Sequence, residues 1–161
     1  MKDYKITSWW TYVDEPMRDL VAQSYELLDH ERDRAAESKY HDYGFIIFPM
    51  AKAFEGFLKK FLYDLHLISS RQYMGDRFRI GKALNPNLPK RYQWDWVYPK
   101  LMDRCGSKEL PQLLWDTWRK ARNQVFHYFP DHHEFVGLDQ AQAVIDEVSQ
   151  VMDKALAACR I

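Results

Sequence analysis

From Ile47 to Leu65 apolar residues return every three or four positions: Ile47, Met50, Ala51, Phe54, Phe57, Leu58, Phe61, Leu62 and Leu65. That recurrence is the period of an α-helix, and the apolar arc is too wide for a helix with one face in water. Such a helix must be surrounded by other elements. The spacing therefore predicts a central helix over about 46–68, with a helical bundle packed around it. Pro49 falls in the first turn of that helix, where a missing N–H breaks no hydrogen bond.

The rest of the chain reads as its packing partners. Asp14-Glu15-Pro16 opens a helix with acids and a proline in the first turn. Met17, Leu20, Val21, Ser24, Leu27 and Leu28 extend it over 15–40, before the break at Gly44. A third helix carries Trp94, Val97, Tyr98, Leu101 and Met102 and ends near Gly106. A fourth opens at Glu109-Leu110-Pro111 and runs through Trp115, Trp118 and Phe126 to stop before Pro130, and the last covers 139–159. Residues 1–13 are aromatic-rich and read as an extended arm or short turn. Residues 69–92 hold two glycines, the run Asn85-Pro86-Asn87-Leu88-Pro89 and six basic residues, and read as a long basic irregular connection. The expectation is one all-α domain over 1–161, a bundle of about five helices.

Charge adds a second constraint. The 161 residues carry 23 Lys+Arg and 23 Asp+Glu, a net charge of zero, which taken alone argues against a nucleic-acid partner. The charges are segregated, however. From Lys52 to Arg122 there are 15 basic residues against 7 acidic, and the two flanks hold the opposite excess. A basic middle and acidic ends predict one anion-facing surface on an otherwise acidic domain. No apolar run reaches the ~18 residues of a membrane span. The Met1-Lys2-Asp3-Tyr4 start lacks the basic and apolar regions of a signal peptide. Cys105 and Cys159 stand without a second cysteine or a histidine at zinc spacing. These features predict a cytoplasmic protein with free thiols, no membrane partner and no cofactor.

Common enzyme signatures are absent: there is no GxGxxG, Walker A loop, HExxH or GxSxG. His132-His133-Glu134 reads as a solvated loop, since adjacent histidines point apart. The end of the fourth helix, Arg122-Asn123-Gln124-Val125-Phe126-His127-Tyr128, carries a usable set. At about 100° per residue, Asn123 and His127 share a face, whereas Arg122 lies about 140° from His127. Together they suit RNA cleavage by the ribose 2′-hydroxyl. His127 serves as general base or acid near neutral pH. Arg122 holds the scissile phosphate, and Asn123 fixes His127 or donates to phosphate. That chemistry needs no metal.

Arg122-Asn123 followed by His127 near a helix end, with one helix to come, resembles the HEPN superfamily of metal-independent ribonucleases. A second Arg/His match, Arg34 with His41, lies in the first helix and has alanine after the arginine, so it falls outside the pattern. The run Ala51-Lys52-Ala53-Phe54-Glu55-Gly56-Phe57-Leu58-Lys59 is similar to the central helix of HEPN domains of the RNase LS toxin type. The resemblance implies that Glu55 and a basic residue three positions earlier join the Arg/His pair; Lys52 stands where that group favours arginine. It further implies RNA as partner, with Arg119, Lys120, Lys59 and Tyr128 as contacts, and a homodimer whose two copies of Arg122 and His127 line one cleft. A toxin or defence role would add an antitoxin or regulatory protein as partner. The alternative is an RNA-binding or regulatory module of the same type that does not cut.

Overall fold

The computed structural model describes residues 4–34, 40–127, 130 and 135–160. Eight α-helices make up most of it: α1 Ser8–Tyr12, α2 Glu15–Asp33, α3 Gly44–Asp64, α4 Ser70–Met74, α5 Ile80–Ala83, α6 Tyr98–Cys105, α7 Glu109–Trp118 and α8 Leu138–Cys159. Short 3-10 turns cover Tyr4–Ile6 and Lys90–Asp95, and no strand occurs among the described residues. The chain is all-α, as its periodicity predicts. The five long helices of the sequence reading are present, and short ones are added where it expected an arm and an irregular connection.

α3 is the centre. Phe54, Phe57, Phe61, Leu58 and Leu62 are fully enclosed, and three of its phenyl rings stack in series. α2 packs along it on one side and α8 on another. Each fully buried aliphatic or phenyl side chain contributes about 1.5–3 kcal/mol, so the three phenylalanines outweigh any surface contact in the molecule.

Pro49 is not in the first turn of α3, because the helix starts at Gly44. Its ring therefore disturbs the hydrogen-bond ladder, as a proline inside a helix must. The buried Ser24 of α2 enters the gap. Its hydroxyl donates to the Ile46 carbonyl at 2.8 Å and accepts from the Met50 N–H at 2.8 Å, bridging two groups that bond each other directly in an uninterrupted helix. One serine thus both repairs α3 and pins α2 to it.

Of the two forms expected of the N-terminal segment, the structure takes the short turn: residues 4–12 are two helical turns docked on the bundle. Trp9 is completely buried, its indole N–H donates to Ser149 Oγ at 3.0 Å, and Asp153 Oδ1 accepts from the Ser8 N–H at the N-terminal end of α1. An indole that large is worth too much in the core to remain on an arm. Tyr12 donates to Asp64 Oδ2 at 2.5 Å, and Lys60 donates to the same oxygen at 2.9 Å. Burial, together with that hydrogen bond, raises the Tyr12 hydroxyl well above the usual tyrosine range. Burial opposes the Lys60 charge, but the Asp64 carboxylate outweighs it and holds the ammonium above its ordinary value.

The first long helix ends at Asp33 instead of 40, and residues 35–39 lie outside the described set. Gly106 closes α6 at φ +61, a left-handed cap that glycine adopts without strain. The 69–92 connection is anchored by buried Phe78, Ile80, Ala83 and Leu84. The free-thiol expectation is overturned: Cys105 at the end of α6 and Cys159 at the end of α8 form a disulfide, with Cα atoms 4.5 Å apart. Fifty-four residues separate them, so only the packing of α6 on α8 brings the sulfurs together. No helix among the described residues is long and apolar enough to cross a membrane.

Candidate active site

α7 begins as an ordinary core helix, with Leu110, Leu114 and Trp118 buried at four-residue intervals. The chain then turns charged, Arg119-Lys120-Ala121-Arg122-Asn123-Gln124, and the backbone widens into a π-helix over those six residues. Both ends of this segment are held: Trp118 lies in the core, while Val125 packs against Gly44 and Phe126 edge-on to Phe48 at the start of α3. The wider turn accommodates the residues between two fixed ends. Irregular turns of this type recur at functional sites.

The π segment corrects the regular-helix expectation. In a π-turn the backbone hydrogen bonds run between i and i+5 rather than i and i+4, and the widened turn ends at Gln124, before His127. The helical backbone stops at Phe126, and His127 follows it as an exposed residue.

Arg122 and Glu55 are brought together. Arg122 Nε lies 3.3 Å from Glu55 Oε2, joining the π segment to the middle of α3. The guanidinium also rests over the Trp118 ring, 5.5 Å from its centroid. With the arginine side chain 47% exposed and the glutamate 31%, the pair contributes at most about 1 kcal/mol to stability. It positions more than it stabilises. Among the described residues no hydrogen bond takes up the Nη groups of Arg122, the edge of the fork that can bond an anion in bidentate fashion.

The Trp118 platform is tightly backed. A Cβ on Gly81 would lie 2.5 Å from the indole, so the basic connection approaches this ring as only glycine permits. Trp118 Nε1 is buried with no hydrogen-bond partner among the described residues, an arrangement that costs about 1–3 kcal/mol.

The remaining predicted residues are arranged as follows. Lys52 is exposed one turn before Glu55 on α3, and among the described residues no ion pair joins the two. Lys59 is half-buried one turn after Glu55, Arg119 is exposed, and Asn123 is half-buried. Lys120 is engaged by Glu147 of α8. Tyr128 and His132-His133-Glu134 lie outside the described residues. Among the described residues no group of three or more His, Cys, Asp or Glu side chains is placed to hold a metal ion.

Sequence reasoning missed Phe48 and Phe126, which are 52% and 39% exposed and meet at 5.3 Å beside the site. Phe48 is four residues before Lys52, on the outer side of α3, and that offset from the apolar arc was its signal. Compared with family models, curated proteins and solved structures, the chain matches none.

Proposed function

We propose that this chain is an endoribonuclease of the HEPN type, cutting single-stranded RNA without a metal ion. The observation that carries the reading is the Arg122–Glu55 contact at 3.3 Å, which joins the two separate sequence elements that the resemblance singles out. Lys52 and Lys59 lie one turn to either side of Glu55 on α3, and Arg119 is three residues before Arg122 in the π segment.

In the proposed reaction the 2′-oxygen attacks the neighbouring phosphorus as His127 takes its proton. The Arg122 guanidinium stabilises the charge that builds on the phosphoryl oxygens. The P–O5′ bond breaks, and the 5′-oxygen takes a proton from the second imidazole of a homodimer, leaving a 2′,3′-cyclic phosphate and a 5′-hydroxyl. Exposed Phe45, Phe48 and Phe126 next to the site form the apolar surface a second copy would cover. The setting is a cytoplasmic toxin or defence effector held by an antitoxin or regulatory protein. There the Cys105–Cys159 bond would meet reducing conditions.

Cleavage of single-stranded RNA in EDTA by the parent chain, His127→Ala and Arg122→Ala tests the proposal. Activity in the parent alone supports it. Equal activity in all three contradicts it, and salt-dependent binding without turnover points to a non-cutting RNA-binding module.

A further inference from the structure

The sequence singled out a second feature that the cleavage site does not absorb, the basic connection between α3 and α6. It folds around a pocket of about 500 Å³ walled by α4, the turn after it and the 3-10 turn Lys90–Asp95. Trp94 stands at its edge with 74% of its surface in water. The neighbouring Trp96 shows the contrast: its N–H donates to the Asn85 carbonyl at 2.8 Å and its ring stacks on Tyr98. One indole is used by the fold and the other is not.

The walls are held in place. Gln72 caps α4 through Ser69, and its side-chain amide donates to Asp95 Oδ1 at 2.7 Å, tying α4 to the turn that bears Trp94. Phe78, buried beneath, anchors the floor. Arg79 is turned aside onto the Asp76 carbonyl. Arg71 and Arg77, which line the pocket, have no ion pair among the described residues. An exposed indole, two guanidinium groups with no ion pair among the described residues and two carboxylates around a hollow of this size match the parts of a nucleotide. The ring stacks a base, the arginines take phosphate, and Asp76 and Asp95 accept from the amino groups of a base edge.

We propose that this pocket is a docking subsite for one nucleotide unit of single-stranded RNA, separate from the Arg122–Glu55 contact. The inference rests on the ribonuclease reading for its choice of polymer. The connection itself joins the two places: three residues beyond Phe78, Gly81 packs on the Trp118 ring that carries Arg122. A strand held at Trp94 is therefore anchored on the same segment that backs the cleavage site.

The experiment uses the full chain carrying His127→Ala, so that RNA is not consumed, and reads the fluorescence anisotropy of a labelled single-stranded RNA of mixed sequence over a range of salt. Adding Trp94→Ala is expected to weaken binding about ten-fold, whereas Trp94→Phe, which keeps a stacking face, stays within about three-fold of the parent. Replacing both Arg71 and Arg77 by alanine is expected to lower the salt slope by about 1.4, the counterions released at two phosphates of a single strand. An unchanged affinity in Trp94→Ala overturns the subsite, including where that variant has lost binding to a free 5′-mononucleotide. If the RNA is cut by the native chain while Trp94→Ala binds as the parent does, only the subsite falls. If no RNA binds at all, the ribonuclease reading falls with it.

Discussion

Two helices of this protein depart from regular α geometry, and they resolve the departure in opposite ways. In α3 the ladder opens at Pro49 and is closed by the buried Ser24 hydroxyl, which satisfies both the Ile46 carbonyl and the Met50 N–H. After α7 the turn widens over Arg119–Gln124, and its cations are set out at the surface, with Arg122 held among the described residues by a partly exposed carboxylate and a ring face. A defect closed inside the core serves stability. A defect left open at the surface leaves its charged side chains in water, as the proposed cleavage requires.

That contrast can be broken by experiment, and the largest effect is expected at the open defect. Arg122→Ala should lower RNA cleavage by about 10²–10³, the loss seen when one donor to a developing oxyanion is removed. Its unfolding free energy should stay within about 1 kcal/mol of the parent, because the ion pair is half-exposed. Cleavage rate and urea denaturation on the same samples read both.

Ser24→Ala should do the reverse. It leaves a buried carbonyl and a buried N–H without their bridge, at about 1–3 kcal/mol for each group. The urea midpoint should fall well below the parent's, while kcat measured where the variant remains folded is retained. A variant as stable as the parent would mean that α3 closes its own ladder and the contrast is false.

Glu55→Gln comes next. The amide keeps the shape and removes the charge that holds Arg122 Nε, so cleavage should drop about ten-fold, as is common for a lost positioning contact. Thermal unfolding should not move measurably. A fall in melting temperature with unchanged cleavage would reassign the pair to structure.

The smallest effect concerns alkaline pH. Burial is the main cause that raises Tyr12 and Tyr25 above the ordinary tyrosine value of about 10, with Asp64 adding to it at Tyr12. A hydroxyl whose pKa is higher folded than unfolded contributes stability that is complete below about pH 10 and is lost as pH rises beyond it. Stability should therefore decline above about pH 10, and Tyr12→Phe should make the decline shallower. Tyr25 is buried and Tyr12 is half-buried against the core, so loss of activity in that range should track unfolding.

What could be read from the sequence follows the same division. The periodic parts were legible: the buried face of α3, the whole of α8 and the glycine that ends α6 each follow from spacing or from a left-handed cap. Non-periodic events were not. Nothing in the order of residues marks Ser24 as the partner of Pro49, because the two meet only when α2 packs on α3. Cys105 and Cys159 gave no sign of pairing, since their approach depends on where two helices end. Apart from Asn123 the π segment is composed of good α-helix formers, and it runs between Trp118 and Val125, which are both held by other elements. Arg122 was named from its place beside Asn123 and His127 and Glu55 from a resemblance, and their contact is a tertiary fact that spacing alone could not have supplied.

The most direct measurement is single-turnover cleavage of a 5′-labelled single-stranded RNA in EDTA, with the new ends identified chemically, by the parent chain, Arg122→Ala and His127→Ala. The account predicts fragments ending in 2′,3′-cyclic phosphate from the parent and a loss of about 10² or more in each variant. Cleavage of equal rate in all three proteins, or products ending in 3′-hydroxyl groups, would contradict it.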